Sequence, residues 1–216
     1  MSIRHRRAAC ATFHEKYNLL YEQINQGRCQ SVAKSPKKSK AVFLDRDGTV
    51  IEDCGHLKNP KQVFFYDFTF KALKLLQKNF MLFIVTNQSG IAKGLLTRED
   101  VEKVNRYVLD VLKENGIKIT EVYYCPHNRE DECECIKPKA YYLKKAAAKY
   151  GIDLAESYVI GDHPHDVECG LNAGASGIFL LTGHGAKHLD EVQKGWTVAA
   201  NLLEAAELII GNASKK

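Results

Sequence analysis

Ala41-Val42-Phe43-Leu44 is an apolar run that halts at two carboxylates, Asp45 and Asp47, with Gly48 and Thr49 directly behind. Four consecutive apolar residues leave no polar face for water. The run therefore predicts a short strand covered on both sides, as in a parallel sheet. In an open α/β sheet, ligands bind just beyond the carboxyl ends of the strands. Asp45 and Asp47 stand at that edge, and Gly48 lets the backbone turn away. Two acids so close repel each other unless a cation or a shared proton relieves them. A hard divalent ion such as Mg²⁺ suits such oxygen ligands.

The same pattern recurs along the chain. Met81 to Val85 ends in Thr86-Asn87-Gln88-Ser89-Gly90, where a hydroxyl, amides and free backbone N–H groups suit phosphate oxygens. Tyr158-Val159-Ile160 ends in Gly161-Asp162, with Asp166 four residues beyond. Ile178 to Leu181 is followed by an exit loop, Thr182-Gly183-His184-Gly185. Val63-Phe64-Phe65 and Val122-Tyr123-Tyr124 are predicted as further short strands. Helical periodicity lies between these runs. Ala72, Leu73, Leu75 and Leu76 mark one helix. Thr97 caps a longer one with Asp100, and Val101, Val104, Val108, Val111 and Leu112 form its apolar face. Helices are also expected over residues 140–150, over 168–175 and, at the C-terminal end, over 199–210. Strands and helices alternating in this way predict an α/β parallel sheet with right-handed crossovers and helices on both faces.

Seven cysteines are an odd number, and three fall within a short stretch, Cys125-Pro126-His127 to Cys133-Glu134-Cys135. That clustering argues for a metal site more than a disulfide framework. Three thiolates and one imidazole complete a tetrahedral Zn²⁺ shell and leave no position for a reactive water, so the site is expected to be structural. Cys10, Cys29, Cys54 and Cys169 show no partner pattern. Lys137-Pro138 follows the last ligand directly.

Charge separates the first forty residues from the rest. They carry nine Lys or Arg against Glu15 and Glu22, a balance of +7, so residues 41–216 carry −2 of the total +5. A general nucleic-acid-binding surface on the body is therefore not expected. Residues 1–40 are expected to be a basic N-terminal extension. Phe13, Tyr17, Leu20, Tyr21 and Ile24 predict an amphipathic helix over 12–26, closed by Gly27, and Ser31 to Lys40 reads as a basic linker. The extension is read as a loosely packed segment, a partner- or nucleic-acid-binding arm, or a targeting leader. No apolar run approaches the ~20 residues that span a bilayer, so a soluble chain without membrane association is expected. The cysteine clustering points to a reducing compartment, and a cytoplasmic monomer is expected.

Asp45-Arg46-Asp47-Gly48-Thr49, Thr86, Lys137 and Gly161-Asp162 with Asp166 appear in the order of the four motifs of the haloacid-dehalogenase-like (HAD) phosphohydrolases, and this sequence resembles that family across about 41–185. The run Thr86 to Gly94 and the Cys/His loop are similar to its histidinol-phosphate and D-glycero-D-manno-heptose 1,7-bisphosphate phosphatase subgroup. The resemblance implies a Rossmann-like domain over 41–216 with a zinc-bound loop and no large cap domain. It implies catalysis by Asp45 as nucleophile and Asp47 as general acid/base, with Thr86 and Lys137 on the phosphoryl group. Asp45, Asp47 and Asp162 would hold Mg²⁺, with Asp166 behind them, and Cys125, His127, Cys133 and Cys135 would hold Zn²⁺. The substrate expected is a small phosphorylated metabolite, bound through Asp45, Asp47, Thr86, Asn87, Gln88 and Lys137. His56 is either a further substrate contact or an exposed loop residue. His163 and His165 are expected to line the pocket rather than to form a transition-metal site. Ile136 stands where relatives usually carry Arg. The activity implied is a heptose-bisphosphate phosphatase. Histidinol-phosphate phosphatase or another small phosphomonoesterase is the alternative. A zinc-stabilised binding module worked by the basic extension and a polynucleotide 3′-phosphatase are more distant readings.

Overall fold

A computed structural model describes residues 38–213. The helix expected over 12–26 and the rest of the basic extension up to residue 37 lie outside them. Six strands, β1 (Ala41–Leu44), β2 (Met81–Asn87), β3 (Ile119–Cys125), β4 (Tyr158–Gly161), β5 (Ser176–Leu180) and β6 (Thr197–Ala199), form one sheet in the order β3-β2-β1-β4-β5-β6. Every neighbouring pair is parallel. Five helices connect and flank them: α1 (Thr69–Leu76), α2 (Arg98–Glu114), α3 (Tyr141–Tyr150), α4 (Pro164–Ala173) and α5 (Leu202–Ala213).

Alternation along each strand divides the interior in two. Val42 and Leu44 of β1, with Leu82 and Ile84 of β2, point into a core shared with α1, α2 and α5. Ala41 and Phe43, with Phe83 and Val85, point into a second core against α3 and α4. Phe43 and Phe83 are fully buried and stack at 5.1 Å. Burying each such ring contributes on the order of 2–3 kcal/mol, so this face of the central strands is anchored independently of any ligand.

The strand order reverses beside β1, between its neighbours β2 and β4. A reversal of this kind leaves a crevice at the carboxyl ends of the strands. Thr97 caps α2 as expected, accepting from the Asp100 N–H while Asp100 accepts from the Thr97 N–H. Between β1 and α1 stands only a loop with one short turn, Pro60–Gln62, and no inserted cap domain. No helix among the described residues is long and apolar enough to cross a membrane.

Three of the differences from the expected elements have a plain physical reason. Val63 to Phe65 is not a strand. Only Phe65 makes a single bridge, to Ile51, and Phe64 is exposed. The helix expected over 168–175 begins earlier, at Pro164, because His163 caps it and proline occupies the first turn, where its missing N–H costs nothing. Ala199 closes β6 rather than opening the last helix, which starts at Leu202 after an Asn201 side chain that accepts from the Leu203 and Glu204 N–H groups.

Candidate active site

Asp45 and Asp47 leave the end of β1, Thr86 to Gln88 the end of β2, and Asp162 the end of β4, so three neighbouring strands aim polar side chains into one crevice. The turn after Asp47 needs Gly48. Its φ of +76° lies in the left-handed region, and a side chain there would collide with the Asp162 carboxylate. Lys137, from the loop before α3, is 5% exposed and sits among the acids. Its ammonium donates to Asp45 Oδ1 at 2.6 Å, to Asp166 Oδ1 at 2.5 Å and to the Val85 carbonyl at 2.8 Å, which uses all three of its protons. Asn87 fixes the lysine's backbone, accepting from the Lys137 N–H at 3.1 Å. Asp166 Oδ2 in turn accepts the His163 N–H, so this one carboxylate both caps α4 and orients the lysine.

Asp45, Asp162 and Asp166 each bring an oxygen within 4.8 Å of the others. Burial, then the neighbouring Asp45 and Asp166 charges, push Asp162 up to about 8. Burial pushes Asp45 up to about 6 against the pull of Lys137. Burial would drag the Lys137 ammonium down, but the facing Asp166 and Asp45 carboxylates outweigh it and hold it well above its usual value. One lysine thus leaves the three acids short of positive charge. An all-oxygen, buried, electron-rich set is what a hard divalent cation fits.

Asp47 is arranged differently. Its carboxylate lies outside the cluster and receives Arg46 Nη2 at 2.9 Å and Gln88 Nε2 at 2.9 Å. Gln88 also donates to Thr86 Oγ1 at 3.0 Å, leaving the Thr86 hydroxyl proton to point elsewhere.

A cavity of about 430 Å³ opens over this set. All nine residues singled out for substrate and Mg²⁺ line it, His56 included. His163 and His165 also line it, stacked at 4.4 Å. Burial pushes both imidazoles down to about 4, which lets the rings lie together near neutral pH without repulsion. The sequence reading passed over three contributors. Arg46 is buried behind Asp47, Arg129 lines the cavity from the Cys/His loop, and the His184 N–H donates to Asp162 Oδ2 at 2.7 Å. No local pattern marked any of them; the Gly183-His184-Gly185 exit loop was the nearest signal.

The Cys/His loop gathers its four side chains beside the cavity. Cys125 Sγ lies 3.5 Å from Cys133 Sγ, 3.3 Å from Cys135 Sγ and 3.6 Å from His127 Nδ1. Cys135 lies 3.4 Å from the same nitrogen and 3.8 Å from Cys133. With Zn–S bonds of about 2.3 Å, ligand atoms at the corners of a tetrahedron lie roughly 3.5–3.8 Å apart, so the set fits Zn²⁺.

Comparison with known proteins agrees with this geometry. Residues 134–205 match a family model described as HAD-hydrolase-like. A probable D-glycero-D-manno-heptose-1,7-bisphosphate 7-phosphatase from Thermoplasma volcanium is 42% identical over 127 residues, covering 57% of this chain and 85% of the relative. A D-glycero-beta-D-manno-heptose-1,7-bisphosphate 7-phosphatase from Helicobacter pylori strain J99 is 35% identical over 173 residues, covering 79% and 97%. The crystal structure of D,D-heptose 1,7-bisphosphate phosphatase from B. bronchiseptica, complexed with magnesium and phosphate, superposes with a TM-score of 0.74 at 29% identity, covering 80% and 99%.

Proposed function

The chain belongs to the HAD-like hydrolase family, and we propose that it is a Mg²⁺-dependent phosphatase of the D-glycero-D-manno-heptose 1,7-bisphosphate type, acting on the 7-phosphate. The observation that carries the reading is the buried Lys137 joining Asp45 to Asp166 with Asp162 beside them. That is a cation-seeking acid cluster with one member aimed into a cavity of metabolite size.

Asp45, Asp162 and the Asp47 carbonyl would hold Mg²⁺, with Asp166 behind them. When bound, the ion neutralises charge that would otherwise keep an anionic ester away from a carboxylate. Asp45 attacks phosphorus in line, and the phosphorus–oxygen bond to the sugar breaks. Asp47 gives its proton to the leaving oxygen. It then takes a proton from the water that cleaves the aspartyl-phosphate, which restores Asp45 and releases phosphate. Lys137 acts mainly as a fixed positive charge; the bond it gives Asp45 is the one that can pass to a phosphoryl oxygen. Thr86 donates its free hydroxyl proton to another. Besides Lys137, the lysine and arginine side chains lining the cavity are Lys93 and Arg129, which supports a role for them in binding the phosphate that is not cleaved. Ile136 lines it too and offers only apolar contact.

Phosphate release with Mg²⁺ across heptose and other sugar bisphosphates, sugar monophosphates, histidinol phosphate and nucleotides tests the assignment. The heptose bisphosphate is expected to show the highest kcat/KM by more than about tenfold, since a bound second phosphate adds to transition-state binding. A flat ranking, or histidinol phosphate first, overturns the substrate. No Mg²⁺-dependent release from any of them overturns the phosphatase reading.

The acid cluster also predicts an opposing effect of pH on the metal-free protein. Asp45 and Asp162 titrate near 6 and 8 when folded, against 3.8 for an ordinary Asp. The folded state therefore holds more protons than the unfolded chain between these values, and stability falls as pH rises through the window. Mg²⁺ binds the ionised cluster, so it offsets the loss most at the alkaline end. Thermal melts are expected to show a Tm gain from Mg²⁺ that is larger at pH 8 than at pH 5.5. An equal gain at both would remove the cluster as the Mg²⁺ site.

A further inference from the structure

Arg46 stands between the two acids in sequence, yet it is 1% exposed, one of the largest fully buried side chains among the described residues. Burying a guanidinium costs several kcal/mol unless partners replace its water. Its partners are specific. Nε lies 3.2 Å from both Asp47 carboxylate oxygens, and Nη2 lies 3.2 Å from Oδ1 and 2.9 Å from Oδ2. Nη1 donates to Asn105 Oδ1 at 2.7 Å. Asn105 is itself buried, on the face of α2 otherwise formed by Val101, Val104, Val108 and Leu112. The apolar side of a helix thus gives up a position to a polar residue whose amide oxygen holds the arginine.

A planar fork fixes a carboxylate in orientation as well as in place, which a lysine does not. The effect is to divide two acids that sit two residues apart. Lys137 draws Asp45 into the metal-seeking cluster, and Arg46 keeps the Asp47 carboxylate out of it, while the two acids both line the cavity.

We propose that Arg46 is a positioning residue for leaving-group protonation, acting through Asp47. The inference rests on the phosphatase reading above. As the phosphorus–oxygen bond breaks, its electron pair stays on the leaving oxygen, which takes the Asp47 proton. The carboxylate that remains faces the guanidinium, which stabilises it. In the second half, the attacking water gives one of its own protons to the Asp47 carboxylate while its oxygen bonds to phosphorus. The electron pair of the Asp45–phosphorus bond returns to Asp45.

The test compares kcat/KM for a sugar phosphomonoester, whose alkoxide needs a proton, with p-nitrophenyl phosphate, whose phenolate departs without one. This constant covers steps only up to leaving-group departure, so the later role of Asp47 does not enter. Arg46→Met is expected to lose about 100-fold or more on the sugar ester and less than about fivefold on the aryl ester, within the range of general-acid effects. Arg46→Lys recovers part of the loss. Asn105→Leu, which reaches Asp47 only through the arginine, shows the same bias to a smaller degree and carries the test if Arg46→Met does not fold by circular dichroism. Equal losses on the two esters, or no loss on either, overturn the inference while wild type stays active. A wild-type enzyme silent on both overturns the phosphatase reading, and the inference with it.

Discussion

Asp45→Asn is expected to abolish turnover and leave the fold standing. The amide keeps the shape of the carboxylate but removes the nucleophilic oxygen, and the neighbouring Asp47 and Asp166 are not free to take its place. Asp47 is turned to Arg46 and Gln88, and Asp166 is held by Lys137 and the His163 N–H. Removing a nucleophile from an assembled site costs on the order of 10⁴–10⁶ in kcat, so phosphate release with Mg²⁺ should fall by at least about 10⁴. Lys137 is not orphaned, because Asp166 and the Val85 carbonyl still accept from it. The usual penalty for breaking a buried pair is therefore small here. Removing one of three crowded carboxylates also relieves Asp162, which Asp45 pushes up. Thermal melts of the metal-free variant should match wild type or exceed it. Activity within about tenfold of wild type would show that Asp45 is not the nucleophile.

Much of this site was legible because its parts lie at strand ends. An apolar run that stops at Asp45, Thr86 or Asp162 states both the strand and the edge at which its last side chain emerges. What escaped depends on partners remote in sequence. Nothing local says that Arg46 is buried; that follows from Asn105, which reads from periodicity as one polar residue among valines. Arg129 belongs to a polar loop with no pattern of its own. The misplaced boundaries have similar causes. Val63-Phe64-Phe65 has the composition of a strand, but it is confined between the turn at Pro60–Gln62 and the start of α1 and makes a single bridge, to Ile51. Pro164 resembles a breaker until its place in the first turn is known. Ala199 has a helix former's propensity, and pairing with Leu180 at the sheet edge overrides it.

Loss of the Cys/His metal site is expected to open one loop rather than unfold the domain. From His127 to Cys135 no residue is buried, so the segment has no apolar core of its own. Its other restraints are few: the Asn128 N–H donates to Asp131 Oδ2 at 2.7 Å, Arg129 Nη2 meets the His165 ring at 2.9 Å, and Lys139 Nζ donates to the Cys133 carbonyl at 2.8 Å, all exposed. Bonds of that kind contribute about 1 kcal/mol each at most, whereas closing four ligands on Zn²⁺ supplies far more. The two cores lie elsewhere and lose nothing. Cys135→Ser, or stripping zinc with excess Mg²⁺ present, should therefore shift the global melt little and raise local opening sharply. Arg129, exposed at the middle of the loop, reports it. Trypsin should cut after Arg129 at least about tenfold faster, because cleavage follows the population of the open form. Activity should fall in parallel. Lys137 is two residues beyond the last ligand, and once the loop moves, only Asn87 still fixes its backbone beside Asp45. Wild type is expected to carry one zinc per chain. A protein purified free of zinc that resists trypsin equally well would show that the four ligands do not clamp the loop.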